Sequence, residues 1–257
     1  MKILVTGMSG LIGTAVRAGL EADHELTALN RSAVDGVATH RADICDFEAI
    51  RPAFDGQDVV VHLAAHPGEQ FSWEQLRDTN VEGARHVFQA AVDAGVQRVV
   101  FASSGATVAG WEHDEPYAAL VEGRSDDLPD SWPLITVDMP PRPRGIYGST
   151  KVWGEALARH FADTTDTSFI NIRIGFVNAE DRPTNARQMS VWCSQRDVVA
   201  GVVAAVAAPG EQCCETFFAN SNNRYGYRDL EHGSVLFGYR PVDSAEDRSR
   251  QRGATGP

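Results

Sequence analysis

The stretch RGIYGSTKVWGE, Arg144 to Glu155, holds the residues best able to do chemistry: Tyr147 and, four positions on, Lys151. Only two of the chain's 23 basic residues are lysines, Lys2 and Lys151. At i and i+4 of a helix the two side chains share one face. A phenol titrates at about 10 in water, too high for a useful base at neutral pH. A fixed ammonium beside it stabilises the phenolate and lowers that value. Lysine's compact head can reach the phenol and ribose hydroxyls together, which arginine's planar fork does poorly. The pair therefore reads as proton-transfer machinery, with Tyr147 as acid or base and Lys151 as its activator. Ser104, at the end of RVVFASS, is the third candidate. Its hydroxyl can bond a substrate oxygen and steady developing charge. Ser103 is the alternative and otherwise faces the sheet.

A second signal opens the chain. TGMSGLIG places Gly7, Gly10 and Gly13 between an apolar run and a helical pattern. Glycines at that spacing allow a tight turn, close backbone approach to a pyrophosphate, and close packing of helix on sheet. The helix N-terminus then faces phosphate charge. Ser9, Leu11 and Ile12, within the same loop and first turn, count as further contacts of a dinucleotide. The ribose reader is ordinarily an acidic residue at the end of the second strand. Here the residues are Asn30, Arg31 and Ser32. Nothing there repels a 2′-phosphate, and Arg31 and Ser32 can bond one. The expected cofactor is NAD(P), with NADP favoured over NAD. Asp43 and Ile44 follow the third strand at the adenine edge. Asp43 reads alternatively as a charge at the N-terminus of a helix near DFEAI.

These residues need a scaffold, and the pattern supplies one. KILVTG, HELTALN, DVVVHLAA, RVVFASS, FINIRIG and ETFFAN read as buried strands. Between them lie helical patterns: Gly10 to Ala22, Trp73 to Gly95 with Gly95 as cap, Tyr147 to Asp163, Arg196 to Gly210, and Tyr227 to Phe237. Strands alternating with helices predict an α/β fold, a Rossmann-type doubly wound parallel sheet with a small C-terminal substrate lobe. The expected division is a dinucleotide-binding domain over 1–175, including the Tyr-Lys helix, and a substrate lobe and tail over 176–257. Two irregular segments, 110–144 and 178–194, are long enough to be lids or binding loops. The tail after Ala245 is polar and expected to fray.

Composition narrows the partners. The net charge is −12, which argues against nucleic acid or an anionic membrane. No apolar run has the length of a span, and Met1-Lys2 leads directly into ILVTG, too short a run for a signal peptide. Cys45, Cys193, Cys213 and Cys214 lack metal spacing and read as reduced thiols, which suits a cytoplasmic protein. No histidine cluster supports a metal. His62 sits in an apolar strand and reads as packed. His66 begins the loop after the fourth strand and is a candidate for substrate contact.

Taken in chain order, TGMSGLIG, Asp43-Ile44, Leu63 to Ala65, Asn80 to Gly83, Ser103-Ser104 and YGSTK resemble the extended short-chain dehydrogenases, the NAD-dependent epimerase/dehydratase family. The likeness runs over nearly the whole chain. In ARQMSVWCSQRDVV and the stretch from Ala219 to Asp247, it looks most like uronate dehydrogenases and haloarchaeal sugar-phosphate dehydrogenases. The resemblance implies cofactor contact at Leu63, Ala64, Ala65, Asn80 and Ile174, with Asn80 positioning its helix. It implies substrate contact at Ser104, Gly105, Phe176 and Arg187, where Arg187 would hold a carboxylate or phosphate. It also implies a homodimer through the helices after the fourth and fifth strands. The chain departs from that subgroup at Gly105-Ala106, commonly Asn-His, and at Phe176, commonly small and polar. Phe176, Trp111 and Trp132 are expected to pack beneath the 110–144 segment. Three functions stand open: a dehydrogenase or reductase of a sugar, sugar acid or sugar phosphate; an epimerase that retains its cofactor; and a non-catalytic dinucleotide sensor. Gly105-Ala106 replaces the Asp-Glu pair a dehydratase would carry.

Overall fold

Ile3, Leu4 and Val5 lie at the centre of the molecule because each is apolar and the strand is covered on both faces. In this computed structural model, which describes residues 1–210 and 213–250, strand β1 (Lys2–Thr6) leads into helix α1 (Leu11–Leu20). Strands β2 (Glu25–Asn30) and β3 (Ala38–Arg41) follow, then the short helix α2 (Phe47–Ile50) and β4 (Val59–His62). Helix α3 (Trp73–Leu76) passes through a π-turn at Arg77–Gly83 into α4 (Ala84–Asp93), making one continuous rod. Next come β5 (Arg98–Ser104), α5 (Tyr117–Glu122), α6 (Ile146–Thr164) and β6 (Ser168–Ile174). The chain closes with α7 (Ala186–Val191), α8 (Gln195–Val206), β7 (Cys214–Ala219), α9 (Glu231–Phe237) and α10 (Ala245–Arg250).

All seven strands are parallel, in the order β3-β2-β1-β4-β5-β6-β7. The order reverses between β1 and β4, which opens a crevice at their carboxyl ends, where ligands bind in such sheets. Alternation along the strands builds two cores. Ile3, Val5, Val59 and Val61 face α1 and α8, meeting Val16, Leu20, Val198 and Val202. Leu4, Val60, Val99 and Phe101 face the other way, meeting Phe88 and Ala91 of α4 and Ala158 and Phe161 of α6. Doubly wound α/β architecture is as expected.

The segment after β5 is more ordered than its composition suggests. Val108, Tyr117, Leu120 and Ile135 join Val191, Phe218 and Tyr227 in a third core, with Trp111 and Trp132 packed at its margin. Trp132 donates its indole N–H to the Gly226 carbonyl at 2.9 Å. Long-range apolar pairing here outweighs the local proline content. The C-terminal tail differs from expectation as well. Residues 245–250 form a helix anchored by buried Ala245, whose N–H donates to Asn223 Oδ1 at 3.0 Å. Residues 251–257 of the predicted frayed tail lie outside the described residues. The late helix starts at Glu231, because Tyr227 and Arg228 are drawn into the interior instead.

Arg98, at the start of β5, closes the far end of α8. It donates to the carbonyls of Val206 (3.2 Å), Ala208 (2.6 Å) and Pro209 (2.9 Å), groups a helix C-terminus leaves unpaired. Arg98→Ala should lower unfolding stability by about 2–3 kcal/mol, measured by urea denaturation, because buried carbonyls lose charged donors.

Candidate functional site

The crevice at the carboxyl ends of the strands is a cleft of about 830 Å³. Its lining contains every predicted site residue except Asn80. At one end runs the glycine loop. Gly7 has φ of +72°, and a Cβ there would sit 2.8 Å from the Ala64 nitrogen. A Cβ on Gly13 would strike the Gly7 carbonyl. Gly10 precedes α1 without a side-chain cap, and the first turn carries no acidic residue. The amides of that turn are therefore open to a phosphate. Asn30 donates to Ser9 Oγ at 2.7 Å while its Oδ1 is buried without a partner, an acceptor suited to a ribose hydroxyl. These features fit a dinucleotide. Arg31, Ser32 and Asp43 are exposed at this end of the cleft. Asp43 accepts from the Cys45 N–H at 3.0 Å. Burial opposes its charge, but bonds from Cys45 and the Arg31 charge hold it below the ordinary carboxylate value. The cap of α2 is Asp46, not Asp43.

Tyr147, Lys151 and Ser104 meet midway along the cleft. Lys151 is buried and donates its ammonium to the Ala102 carbonyl at 2.8 Å. Its Nζ lies 4.9 Å from the centre of the Phe101 ring and 5.9 Å from that of Tyr147. Burial depresses its pKa to about 8, against the supporting charge of Glu155. The expected lowering of the phenol by this ammonium is not what these neighbours produce. Burial raises the Tyr147 pKa, a bond with the Ser104 hydroxyl opposes the rise, and the Glu69 charge adds to it. Tyr147 is thus a phenol that keeps its proton, next to an amine that gives its proton up early.

Ser103 and Ser104 divide as the alternation of β5 requires. Ser103 Oγ donates to Glu155 Oε1 at 2.5 Å, and Glu155 also receives Arg173 through Nε (3.0 Å) and Nη2 (2.8 Å). Ser104 turns to Tyr147 and caps the following turn by accepting from the Ala106 N–H at 3.1 Å. His62 is packed between Phe88 and Phe101 and bonds Thr6 Oγ1 at 2.7 Å. Burial, then the Lys151 charge, depress it to about 3, so it is neutral, as a packed histidine should be. Asn80 lies one layer behind the lining rather than in it. It accepts from the His66 N–H (2.8 Å) and donates to the His66 carbonyl (3.0 Å) and Thr150 (3.3 Å). It braces the loop that carries His66 to the cleft, and the π-turn containing it aims the side chain there.

The far end departs most from expectation. Arg187 lines the cleft but is engaged by Glu112, through Nε at 2.7 Å and Nη2 at 2.8 Å. Tyr227 donates its hydroxyl to the same carboxylate at 2.6 Å, and Arg144 approaches at 3.4 Å. Burial alone would raise the Glu112 carboxyl, but the Arg187 and Arg228 charges and the Tyr227 bond hold it below the ordinary value. Phe176 does not pack beneath the 110–144 segment with the tryptophans. Its backbone bridges to Val191 and Cys193, leaving the ring half-exposed to the cleft. Glu69 was not foreseen. It accepts from the Tyr147 N–H at 3.1 and 3.3 Å and so caps α6 from a loop 78 residues upstream. Arg228, also unforeseen, lies against Gly105. The departure at Gly105 was the only local hint of it. Among the described residues, no group of three or more His, Cys, Asp or Glu side chains could hold a metal, and no helix is long and apolar enough to cross a membrane.

The sequence profile of the NAD dependent epimerase/dehydratase family matches residues 3–196. The chain belongs to that family. Among family members it is 30% identical to the L-arabinose 1-dehydrogenase (NAD(P)(+)) of Haloferax volcanii, over 95% of this chain and 97% of that one. It is 31% identical to the uronate dehydrogenase of Agrobacterium fabrum, over 100% of this chain and 90% of that one. The crystal structure of uronate dehydrogenase from Agrobacterium tumefaciens superposes with a TM-score of 0.81, at 30% identity, over 100% of this chain and 90% of that one. The family assignment agrees with the strand order and with the glycine-lined crevice.

The depressed Lys151 value has a measurable sign. An unfolded lysine keeps its proton to about 10.4, whereas the folded one releases it at about 8. Between those values the unfolded state binds more protons, so this group's contribution to stability rises with pH across that window. In ¹³C-lysine-labelled protein, with Lys2→Arg to assign the two signals, Lys151 should titrate near pH 8. A midpoint above 10 would contradict the burial described.

Proposed function

We propose that the chain is an NAD(P)-dependent dehydrogenase that oxidises a hydroxyl-bearing carbon of a sugar, sugar acid or sugar phosphate. One observation carries the reading: Ser104, Tyr147 and Lys151 converge at the carboxyl end of β5, inside the cleft that the glycine loop begins. The names of the relatives from Haloferax volcanii and Agrobacterium fabrum support net oxidation of a sugar or sugar acid over epimerisation. Retention of both tyrosine and lysine speaks against a non-catalytic sensor.

When bound, the nicotinamide supplies an acceptor for the hydride leaving the substrate carbon. The chain's own residues deal with the proton and the oxygen. Ser104 Oγ steadies the substrate oxygen beside the phenol. In reduction the protonated Tyr147 gives its proton to the substrate oxygen; in oxidation its phenolate, formed once its own proton has passed to solvent, takes the hydroxyl proton. Lys151, poised at about 8, stands beside the phenol, its Nζ 5.9 Å from the ring centre. The part of the chain after residue 175, against whose described residues Val191, Phe218 and Tyr227 the 110–144 segment folds, is the substrate lobe in this reading.

Tyr147→Phe should reduce turnover about a thousandfold, the scale of a lost acid–base group, while cofactor binding followed by fluorescence changes little. Turnover of any sugar that survives Tyr147→Phe would contradict the assignment.

NADP preference over NAD belongs to the same proposal. Exposed Arg31 and Ser32 and the absence of a carboxylate at Asn30 support it. Arg31→Ala should raise the KM for NADP on the order of tenfold, the worth of a charged hydrogen bond, and leave that for NAD unchanged. Equal effects on both would overturn it. A homodimer through the Trp73–Asp93 rod and α6, and a reducing, cytoplasmic setting for four free cysteines, complete the reading. Sedimentation at working concentration tests the dimer.

A further inference from the structure

Arg228 is buried, yet among the described residues it forms no ion pair. Its bonds are long: Nη2 to the Gly105 carbonyl at 3.3 Å and Nη1 to Asn220 Oδ1 at 3.4 Å. Its Nε is buried with no partner. The guanidinium lies 5.5 Å from the centre of the Tyr227 ring and forms part of the cleft wall. A guanidinium has five N–H donors and is never neutral in a protein. Keeping one dry without a carboxylate carries a large cost unless something in the cleft completes it.

The charges around it point the same way. Arg144, Arg187 and Arg228 surround a single buried carboxylate, Glu112. Arg187 takes that carboxylate in a two-pronged pair and Tyr227 donates to it as well. Arg187 thus pairs with the carboxylate directly, whereas Arg228 shares its field without a bond to it and keeps its N–H groups underused. The backbone opposite is bare for a reason: a Cβ on Gly105 would collide with the Arg228 guanidinium. Gly105 and Ala106 offer a sugar no side-chain donors, and the guanidinium fills the volume they leave.

We propose that Arg228 is a specificity-determining residue that binds an anionic substituent of the sugar, a carboxylate or phosphate, through its free N–H groups. Arg187 orders the wall through Glu112, and Arg228 reads the substrate's charge. This rests on the dehydrogenase reading above, and the test separates the two.

Wild type, Arg228→Gln and Gly105→Ala are assayed by cofactor reduction on a hexuronate, an aldose 6-phosphate and the matching neutral aldoses. Far-UV circular dichroism and thermal melting check folding. For the preferred anionic sugar, Arg228→Gln should lower kcat/KM on the order of a hundredfold, chiefly through KM, and leave neutral aldoses within about threefold. Whichever anionic sugar shows the loss identifies carboxylate or phosphate. Gly105→Ala, which displaces the guanidinium without removing it, should lose the same preference and decides the matter if Arg228→Gln does not fold. Equal losses on anionic and neutral sugars, or a wild type that prefers neutral aldoses, would overturn the role of Arg228 and leave the dehydrogenase reading intact. If the wild type oxidises no sugar, the dehydrogenase reading fails. Calorimetric titration of the hexuronate and the aldose phosphate, with NADP present, then judges Arg228 alone. Binding at least tenfold weaker in Arg228→Gln supports it; equal binding, or none to the wild type, contradicts it.

Discussion

An ammonium group stripped of water at the carboxyl end of β5 is the constraint around which the site is arranged. Lys151 keeps its charge there only through the Ala102 carbonyl, the face of the Phe101 ring and the nearby Glu155. Ser103 and Arg173 tie Glu155 down in that position. That engagement commits Ser103 to the interior and leaves Ser104 for the cleft. His62, beside the same charge, stays neutral. A buried cation thus sets the roles of two serines, a glutamate and a histidine, and fixes where Tyr147 can stand.

Parts of this were legible in the sequence because they are local. β1, β5 and α6 fall close to their predicted spans, since buried parallel strands read as apolar runs and helices as 3.6-residue periods. The glycine loop was legible because its three positions serve one turn. Tyr147 and Lys151 were legible because a helix places i and i+4 together. The alternative for Ser104 was resolved only by the alternation of β5 against α6. What sequence alone withheld is long-range. Glu69 reaches a helix 78 residues away, and Tyr227 reaches Glu112 across 115 residues. The helix over 245–250 exists because Ala245 finds a buried seat against Asn223, which no local polar pattern announces. The i,i+4 spacing shows the ammonium beside Tyr147 but not the desolvation of the phenol itself, which raises its pKa.

The two ends of the cleft use charge differently. At the glycine loop, backbone amides and the bare start of α1 face the cleft without a side-chain cap. At the far end, the guanidiniums of Arg144, Arg187 and Arg228 gather about the one buried carboxylate of Glu112. In the first 13 residues the glycine-loop end thus presents chiefly main chain to the cleft. The far end presents side chains gathered over more than a hundred residues, as Tyr227 meeting Glu112 shows.

The central claim is net transfer of hydride from a sugar carbon, with Tyr147 handling the proton. It is tested most directly by incubating the purified protein with NADP and a sugar deuterated at the carbon to be oxidised, then measuring both products by mass spectrometry. The expected result is one deuterium in the reduced nicotinamide for each oxidised sugar. Deuterium returned to a sugar of inverted configuration, with no reduced nicotinamide accumulating, would contradict it.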